Sequence, residues 1–199
     1  MLKNRDFTSA ALLAGGNSKR MGLDKQYFHI SGGLLFEHIL PTLTSIFDDV
    51  MVVTDNPELY NDKNLRTVRD IIPGSGPLSG IHAAMTESKS KYVYILACDM
   101  PEIDINYIDF LIDNLNKNPA DACVTRIGNH IEPFHAFYSV NCLPVIEADL
   151  RDGKSSVKYF LHKINTLYIS EIQARHFTPD WSLFSNLNTP EDYLNYGKC

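Results

Sequence analysis

The stretch 92–98, YVYILAC, followed by Asp99, Met100 and Pro101, decides the fold because it is predicted to be a strand that is bulky and mostly apolar on both faces. A strand with one buried face alternates apolar and polar residues, whereas a central strand of a parallel sheet is apolar throughout. Pro101 cannot continue such a strand, which places Asp99 at its carboxyl end. Open parallel sheets bind their ligands at that edge. The stretch therefore predicts a central parallel strand that ends in a carboxylate at a ligand-binding edge.

Strand-like and helical segments alternate on both sides of this stretch. Hydrophobic spacing predicts further strands at 10–14, 50–54, 65–70, 122–127, 133–138 and 166–169, and helices at 34–47, 80–87, 105–116, 143–150, 157–163 and 190–196. Pro41 lies inside the first helical pattern and is expected to kink or interrupt it. The alternation predicts an α/β fold, a Rossmann-like three-layer α/β/α sandwich with a mostly parallel sheet. Because no repeat or linker is visible, residues 1–199 are expected to form a single domain.

Composition limits the classes of partner. The 199 residues are 44% hydrophobic and 21% charged, which is ordinary for a globular protein. A net charge of −6 argues against nucleic acid or a membrane surface as the main partner, since both attract basic proteins. The sequence has no apolar run of about 18 residues, and its four cysteines lack the spacing of a zinc site or a disulfide framework. A cytoplasmic protein is expected.

The segment 12–25, LLAGGNSKRMGLDK, is a candidate phosphate-binding loop. A strand ends in adjacent glycines, whose backbone N–H groups can face an anion, and Lys19, Arg20 and Lys25 follow. The spacing matches neither the dinucleotide fingerprint nor the P-loop of nucleoside triphosphatases. A solvated basic loop is the plain alternative. The three cations close together favour a triphosphate, whose negative charge they would balance.

Asp99 is the candidate metal ligand, because Mg²⁺ takes one or two carboxylates together with phosphate oxygens and water. An aspartate that caps a helix or turn is the alternative for this position. Asp99 follows an almost wholly apolar strand, and this placement favours the metal.

Two further segments are candidates for substrate contacts. In 69–81, RDIIPGSGPLSGI, glycines would let the backbone approach a flat ligand, although a plain connection into a helix fits equally. In 184–192, FSNLNTPED, Thr189 is predicted as a helix N-cap with Pro190 at the first helical position. The amides of Asn186 and Asn188 could orient a phosphate or a pterin-like ring without adding charge.

The segments LLAGGNSKRMGLDK, GPLSGI, CDMP, IEPFHAFY and FSNLNTPEDY, in that order, resemble the molybdenum cofactor guanylyltransferases. These enzymes belong to the nucleotide-diphospho-sugar-transferase-like superfamily, and the resemblance covers residues 9–196. The first segment is shared across the superfamily, whereas its combination with the others is more specific. The resemblance implies a Mg²⁺-dependent nucleotidyltransferase that transfers GMP from GTP to molybdopterin-bound molybdenum cofactor and releases pyrophosphate. Molybdenum-insertion proteins and apo-molybdoenzymes would be its protein partners.

The resemblance also implies a set of site residues, with the nucleotide bound by the N-terminal half and the acceptor by the C-terminal half. The implied roles are nucleotide contact for Leu13, Ala14, Gly15, Thr54 and Asp70, phosphate binding for Lys25, Arg20 and Lys19, metal and nucleotide binding for Asp99, and acceptor contact for Asn186 and Asn188. Thr54 stands where relatives can carry Asn. Among these residues Lys25, Asp99 and Arg20 would be catalytic.

Two other functions stay open on the residues themselves. A nucleotidyltransferase for another base or acceptor, such as a cytidylyltransferase for the same cofactor or a sugar-phosphate enzyme, would need the same phosphate and metal sites. A non-catalytic nucleotide-binding protein could keep the loop, but it would have no need of both Lys25 and Asp99. Only the resemblance favours GTP over the other nucleotides.

Overall fold

A seven-stranded sheet forms the centre of the protein. The structure, a computed structural model, describes residues 5–15, 29–30, 33–63 and 65–196. The strands in chain order are β1 (Ser9–Leu13), β2 (His29–Ile30), β3 (Gly33–Leu34), β4 (Asp49–Val53), β5 (Arg66–Val68), β6 (Tyr92–Ala97), β7 (Ala122–Ile127), β8 (His130–Ser139) and β9 (Thr166–Ser170). The order across the large sheet is β5-β4-β1-β6-β8-β7-β9, while β2 and β3 pair separately as a short antiparallel ribbon.

The large sheet is mostly parallel, as predicted. β8 is antiparallel to both of its neighbours, and the other pairs of adjacent strands are parallel. From β1 the chain first adds β4 and β5 on one side and then crosses to β6 on the other. The carboxyl ends of β1 and β6 therefore meet at a topological switch point, where sheets of this kind bind ligands. Leu13 pairs with Ala97 there, and the Cys98 N–H donates to the Leu13 carbonyl at 3.0 Å.

Helices cover both faces of the sheet. They are α1 (Leu35–Ile46), α2 (Pro77–Glu87), α3 (Ile105–Lys117), α4 (Leu143–Arg151), α5 (Val157–Leu161), α6 (Glu171–Ala174) and α7 (Pro190–Tyr196). The buried residues of α1, α3, α6 and α7 belong to the core on one face, and those of α2, α4 and α5 to the core on the other. The predicted three-layer sandwich is confirmed. Within the described ranges, every helix is too short or too polar to span a bilayer.

Strand β6 divides its side chains between the two cores. Tyr94 and Leu96 pack into the core beneath α1 and α3, whereas Val93 and Ile95 pack into the core beneath α2. All six residues of the strand are buried. Burial of each large apolar side chain stabilises the fold by roughly 1.5–3 kcal/mol. The burial of both faces that the sequence predicted for 92–98 is thus confirmed.

Pro41 was predicted to kink or interrupt the first helix, and the interruption is wrong, because α1 runs without a break from Leu35 to Ile46, while the kink stays a prediction. A proline removes one N–H donor from the helix, but the apolar face of α1 stays buried on both sides of it. Leu40 and Leu43, which flank Pro41, both pack into the core. The Thr44 hydroxyl lies one turn further along and contacts the carbonyl oxygens of Leu40 and Pro41, at 3.0 and 3.1 Å. Burial on both sides therefore outweighs the single lost backbone bond.

Candidate functional site

A cavity of about 120 Å³ opens at the carboxyl edge of the sheet, beside the ends of β1, β4 and β5. The described residues that line it are Leu13, Gly15, Val53, Thr54, Asp55, Asp70, Gly74, Gly76, Pro77 and Gly80. The structure therefore brings together four of the residues for which the resemblance implied nucleotide contact, namely Leu13, Gly15, Thr54 and Asp70. Ala14 is buried and is not among the described lining residues.

Backbone hydrogen bonds hold the strand ends together at the cavity. The Ala14 N–H donates to the Val53 carbonyl at 2.9 Å, and the Thr54 N–H donates to the Val68 carbonyl at 2.8 Å. The ladder thus extends one residue beyond β1 and β4 before the chain turns away. The Thr54 hydroxyl is buried and accepts a hydrogen bond from the Asn56 N–H at 3.0 Å, which fixes the turn after β4.

The glycine-rich segment before α2 forms the wall of the cavity that lies opposite the strand ends. Gly74 and Gly76 have φ values of +94° and +58°, a region that glycine adopts without the strain of a side chain. Gly76 is the N-cap of α2, and Pro77 occupies the first turn. The helix therefore begins three residues before the predicted start at 80. Gly80 faces β1, where a Cβ would meet the Leu13 side chain at 3.4 Å, so its small size lets α2 pack closely at the cavity.

Two carboxylates lie side by side in this cavity. Val53 and Val68, the last residues of β4 and β5, pair with each other, and an aspartate follows each of them two residues later, Asp55 and Asp70. Asp55 is exposed and Asp70 is half-buried. Burial, and secondly the charge of Asp55, raise the pKa of Asp70 from 3.8 to about 6. Among the described residues, no Lys or Arg forms an ion pair with either carboxylate.

Asp55 was missed by the sequence analysis, although a signal existed. It directly follows Thr54 at the end of a predicted strand, where an aspartate can project over the carboxyl edge of the sheet. The partner strand, predicted at 65–70, ends in Asp70 in the same way. Only the pairing of β4 with β5 shows that the two carboxylates are neighbours.

Asp99 lies at the same edge but on the other side of β1. It sits in a turn that begins directly after β6 and is closed by a hydrogen bond from the Met100 N–H to the Ala97 carbonyl at 3.1 Å. Its side chain is partly accessible, and it is not among the described residues that line the cavity. Because β6 is two strands from β4, the two places are about 10 Å apart across the sheet. A ligand that extends over the end of β1 could reach both.

The segment 184–192 joins the site through its backbone. The Leu187 N–H donates to the Asp99 carbonyl at 2.8 Å, which places Asn186 and Asn188, both exposed, on either side of a residue anchored to the β6 turn. The predicted cap at Thr189 is confirmed, since its hydroxyl accepts from the Asp192 N–H at 3.2 Å.

The Asp192 carboxylate completes this cap. It accepts from the N–H groups of Thr189 and Asn188, at 2.8 and 2.9 Å, and these backbone bonds lower the pKa of Asp192. The segment that carries the two asparagines is therefore held at two places, at Leu187 by the β6 turn and at Asn188 by the start of α7.

Lys25, Arg20 and Lys19 lie outside the residues that the structure describes. Their assignment to phosphate binding stays a prediction. In the parts of the chain that are described, no three His, Cys, Asp or Glu side chains come together as a metal cluster. A single carboxylate at the strand end, Asp99, is what a metal held mainly by phosphate and water would require.

Comparison with known proteins assigns the chain to a family. The model of the MobA-like NTP transferase domain matches residues 10–166, which span the switch point and the cavity. The chain belongs to this family. The membership confirms the family resemblance and the enzyme class, a nucleotidyltransferase, that the sequence predicted.

Similar proteins extend over nearly the whole chain. A molybdenum cofactor guanylyltransferase of Syntrophotalea carbinolica is 48% identical over 94% of this chain and 89% of its own length. A probable molybdenum cofactor guanylyltransferase of Peptoclostridium acidaminophilum is 43% identical over 96% of this chain and 89% of its own. The crystal structure of molybdopterin-guanine dinucleotide biosynthesis protein A from Archaeoglobus fulgidus shares the fold, with a TM-score of 0.82 at 24% identity, covering 93% of this chain and 94% of that one.

Proposed function

We propose that this protein transfers GMP from GTP to molybdopterin-bound molybdenum cofactor, forming the guanine dinucleotide cofactor and pyrophosphate. The observation that carries the proposal is the cavity at the carboxyl edge of β1, β4 and β5, lined by Leu13, Gly15, Thr54 and Asp70, in a chain of this family. The names of relatives at 43–48% identity agree with it. The proposal keeps the cytoplasmic location predicted from the sequence, with the molybdenum-insertion proteins and apo-molybdoenzymes as partners.

The proposed arrangement follows the order of the strands. The base lies in the cavity beside β4 and β5, against the backbone of the Gly74–Gly76 turn, where a flat ring can approach closely. The triphosphate extends over the end of β1 towards β6. Lys25, Arg20 and Lys19 follow β1 in the sequence and are proposed to bind its phosphates.

Asp99 is proposed to hold Mg²⁺. The fit rests on its position, since this partly exposed residue follows the central strand directly. Mg²⁺ needs few protein ligands when phosphate oxygens and water complete its shell. When bound, the ion would neutralise charge on the phosphate oxygens.

The acceptor is proposed to lie beyond Asp99, along the segment 184–188. The hydrogen bond from the Leu187 N–H to the Asp99 carbonyl ties this segment to the β6 turn, and the exposed residues Asn186 and Asn188 flank Leu187 in the chain. Neutral amides can donate to a phosphate and accept from a pterin ring. The N-terminal half would thus bind the nucleotide and the C-terminal half the acceptor.

The chemistry requires positioning more than proton transfer. A terminal phosphate oxygen of the acceptor attacks the α-phosphorus of GTP in line, a P–O bond forms, and the bond to the β-phosphate breaks as pyrophosphate leaves. The attacking phosphate is already ionised at neutral pH, so no general base is needed. Lys25 and Arg20 are assigned to the charge that grows on the leaving pyrophosphate.

Release of pyrophosphate tests the proposal. The protein is incubated with Mg²⁺, a molybdopterin acceptor and each of GTP, CTP, ATP and UTP in turn, and release is expected with GTP. Turnover with CTP would support the cytidylyltransferase instead, and turnover with a sugar phosphate as acceptor would support that enzyme. Tight binding of GTP without any release would support a non-catalytic nucleotide-binding protein.

The variant Asp99→Asn tests the metal ligand in the same assay. Its turnover is expected to fall by at least about 100-fold, because the loss of one group that stabilises the transition state costs about this much. Asp109→Asn removes an exposed carboxylate from α3 and serves as the matched control, which should turn over normally. Normal turnover by Asp99→Asn with Mg²⁺ would remove Asp99 from the mechanism.

A further inference from the structure

The pairing of β4 with β5 places a second carboxylate in the proposed nucleotide pocket. Val53 lies opposite Val68, and the ladder continues through the bond from the Thr54 N–H to the Val68 carbonyl. Asp55 and Asp70 come at the next matching position along these two strands. Both line the cavity, so their proximity follows from the register of the sheet as well as from the cavity.

Asp55 and Asp70 have no ion-pair partner of opposite charge among the described residues. Asp55 contributes to the raised pKa of Asp70, which means that the two negative charges repel each other across the cavity. Neither forms an ion pair with a described Lys or Arg. Two adjacent carboxylates that pair with no described Lys or Arg can accept hydrogen bonds from a ligand edge made of donors.

We propose that Asp55 is a specificity-determining residue for the base, and that together with Asp70 it recognises the adjacent ring N–H and exocyclic amino group of guanine. This inference rests on the proposed GTP-dependent function and deepens it. Asp70, which is half-buried, accepts from the ring N–H and from one amino hydrogen, a paired contact that a single carboxylate can make. Asp55, at the exposed side of the cavity, accepts the second amino hydrogen.

The same pair disfavours the other bases. Adenine and cytosine place a ring nitrogen lone pair beside their amino group, and uracil flanks its single N–H with two carbonyl oxygens. Each of these edges brings a lone pair against a carboxylate. Repulsion against the wrong ligand contributes to specificity in the same way as attraction to the right one. Guanine supplies neighbouring donors without an intervening acceptor, so it alone relieves the repulsion between Asp55 and Asp70.

Inosine triphosphate is the probe that isolates Asp55, because its base keeps the ring N–H of guanine and lacks the amino group. Affinities for GTP and inosine triphosphate are measured by calorimetry with Mg²⁺ for the wild-type protein, Asp55→Asn and Glu58→Gln. Glu58 is an exposed carboxylate three residues away that is not among the described lining residues, so its variant controls for the change in net charge.

The wild-type protein is expected to prefer GTP, and Asp55→Asn should reduce that preference about tenfold while leaving the affinity for inosine triphosphate unchanged. Glu58→Gln should keep the wild-type preference. If Asp55→Asn keeps the wild-type preference for GTP over inosine triphosphate, the inference is wrong. The proposed function still holds in that case if the wild-type protein releases pyrophosphate from GTP. Failure of the wild-type protein to bind GTP overturns both. Because Asp55 is exposed, the variant is expected to fold, and its thermal unfolding confirms this.

Discussion

The neighbouring strands β1, β4 and β5 form a part of the sheet that carries charged residues at both of its edges, but the two edges are built in opposite ways. At the amino ends Asp49 is 8% exposed and is fully engaged. The Arg66 Nη2 donates to both of its carboxylate oxygens at 2.7 and 2.8 Å, and the Ser9 hydroxyl donates to it at 2.8 Å. These bonds join the first residues of three neighbouring strands. Opposite charges there are matched within the protein.

At the carboxyl ends, Asp55 and Asp70 repel each other, and no described cation pairs with them. Such an arrangement costs stability, and perturbed carboxylates in a cleft are typical of functional sites. The two edges therefore differ in the sign of their electrostatic contribution to folding stability, which is favourable at the amino edge and unfavourable at the carboxyl edge. The amino edge stabilises the fold, and the carboxyl edge keeps its charges available for a ligand. Four substitutions test this contrast.

Asp49→Asn should have the largest effect. The change leaves the Arg66 guanidinium partly buried without its carboxylate, and the loss of one member of a buried ion pair costs about 3 kcal/mol. The free energy of unfolding, measured by urea denaturation at pH 7, should fall by this amount. A loss below about 1 kcal/mol would mean that the amino edge does not stabilise the fold as described.

Gly76→Ala should come next, with a loss of about 2 kcal/mol. Gly76 has φ +58° and ψ −141°, a conformation that is strained for any residue with a side chain. Gly128→Ala is the matched control, because Gly128 has φ +56° in the turn between β7 and β8, and these strands are three and two positions from β1 in the sheet. Both variants should lose stability, but only Gly76→Ala should also weaken GTP binding. Equal GTP affinities in the two variants would argue against a role of the Gly74–Gly76 wall in the pocket.

Asp70→Asn should stabilise the protein, and only at higher pH. The pKa of Asp70 is raised on folding from 3.8 to about 6, so its contribution to stability is complete below pH 3.8 and is lost as the pH rises through 6. Asparagine removes that loss. The variant is expected to exceed the wild-type free energy of unfolding by about 1 kcal/mol at pH 8, a value reduced for the partial exposure of the carboxyl.

Denaturation of both proteins at pH 4 and pH 8 checks the sign of this effect. The difference should shrink towards pH 4, where the carboxyl is largely protonated in the folded state. A variant that is less stable than the wild-type protein at pH 8 would show that Asp70 is paired in solution, and the contrast between the two edges would then disappear.

Lys89→Ala should have the smallest effect. Its Nζ lies 3.5 Å from an Asp49 oxygen, but the side chain is 69% exposed, and ion pairs of this kind contribute about 0.3 kcal/mol. The difference in the free energy of unfolding should be smaller still at high salt. A loss comparable to that of Asp49→Asn would show that Lys89 is a main stabilising partner of Asp49, which contradicts the small effect expected from its exposure.

The boundaries of the predicted strands and helices agree with the structure to within two residues, except at the starts of β8 and α2, which each lie three residues earlier than predicted. The strand over 122–127 agrees with β7, and those over 10–14 and 92–98 agree with β1 and β6 within one residue at each end. The predicted strand 133–138 is four residues shorter than β8, and α2 begins before its predicted start. A start formed by Gly76 and Pro77 depends on local backbone conformation, which an apolar spacing count does not detect.

The candidate site was predicted in its parts but not in its assembly. Asp99 was singled out from residue type and position and Asp70 through the family resemblance, and the structure places both at the carboxyl edge. Asp55 was missed, because a lone aspartate after a strand is common in turns. The roles of Lys25 and Arg20 remain predictions for the assay to test.

The amino-acid sequence by itself determined the layers of this protein, the central position of 92–97 and the edge at which the chemistry should lie. These follow from local patterns, because apolar runs and glycine-rich turns act over a few residues. Tertiary structure alone decided which strand ends are neighbours, and therefore that Asp55 faces Asp70 while Asp49 meets Arg66. Pairings between distant segments depend on the whole sheet, and no short stretch of sequence encodes them.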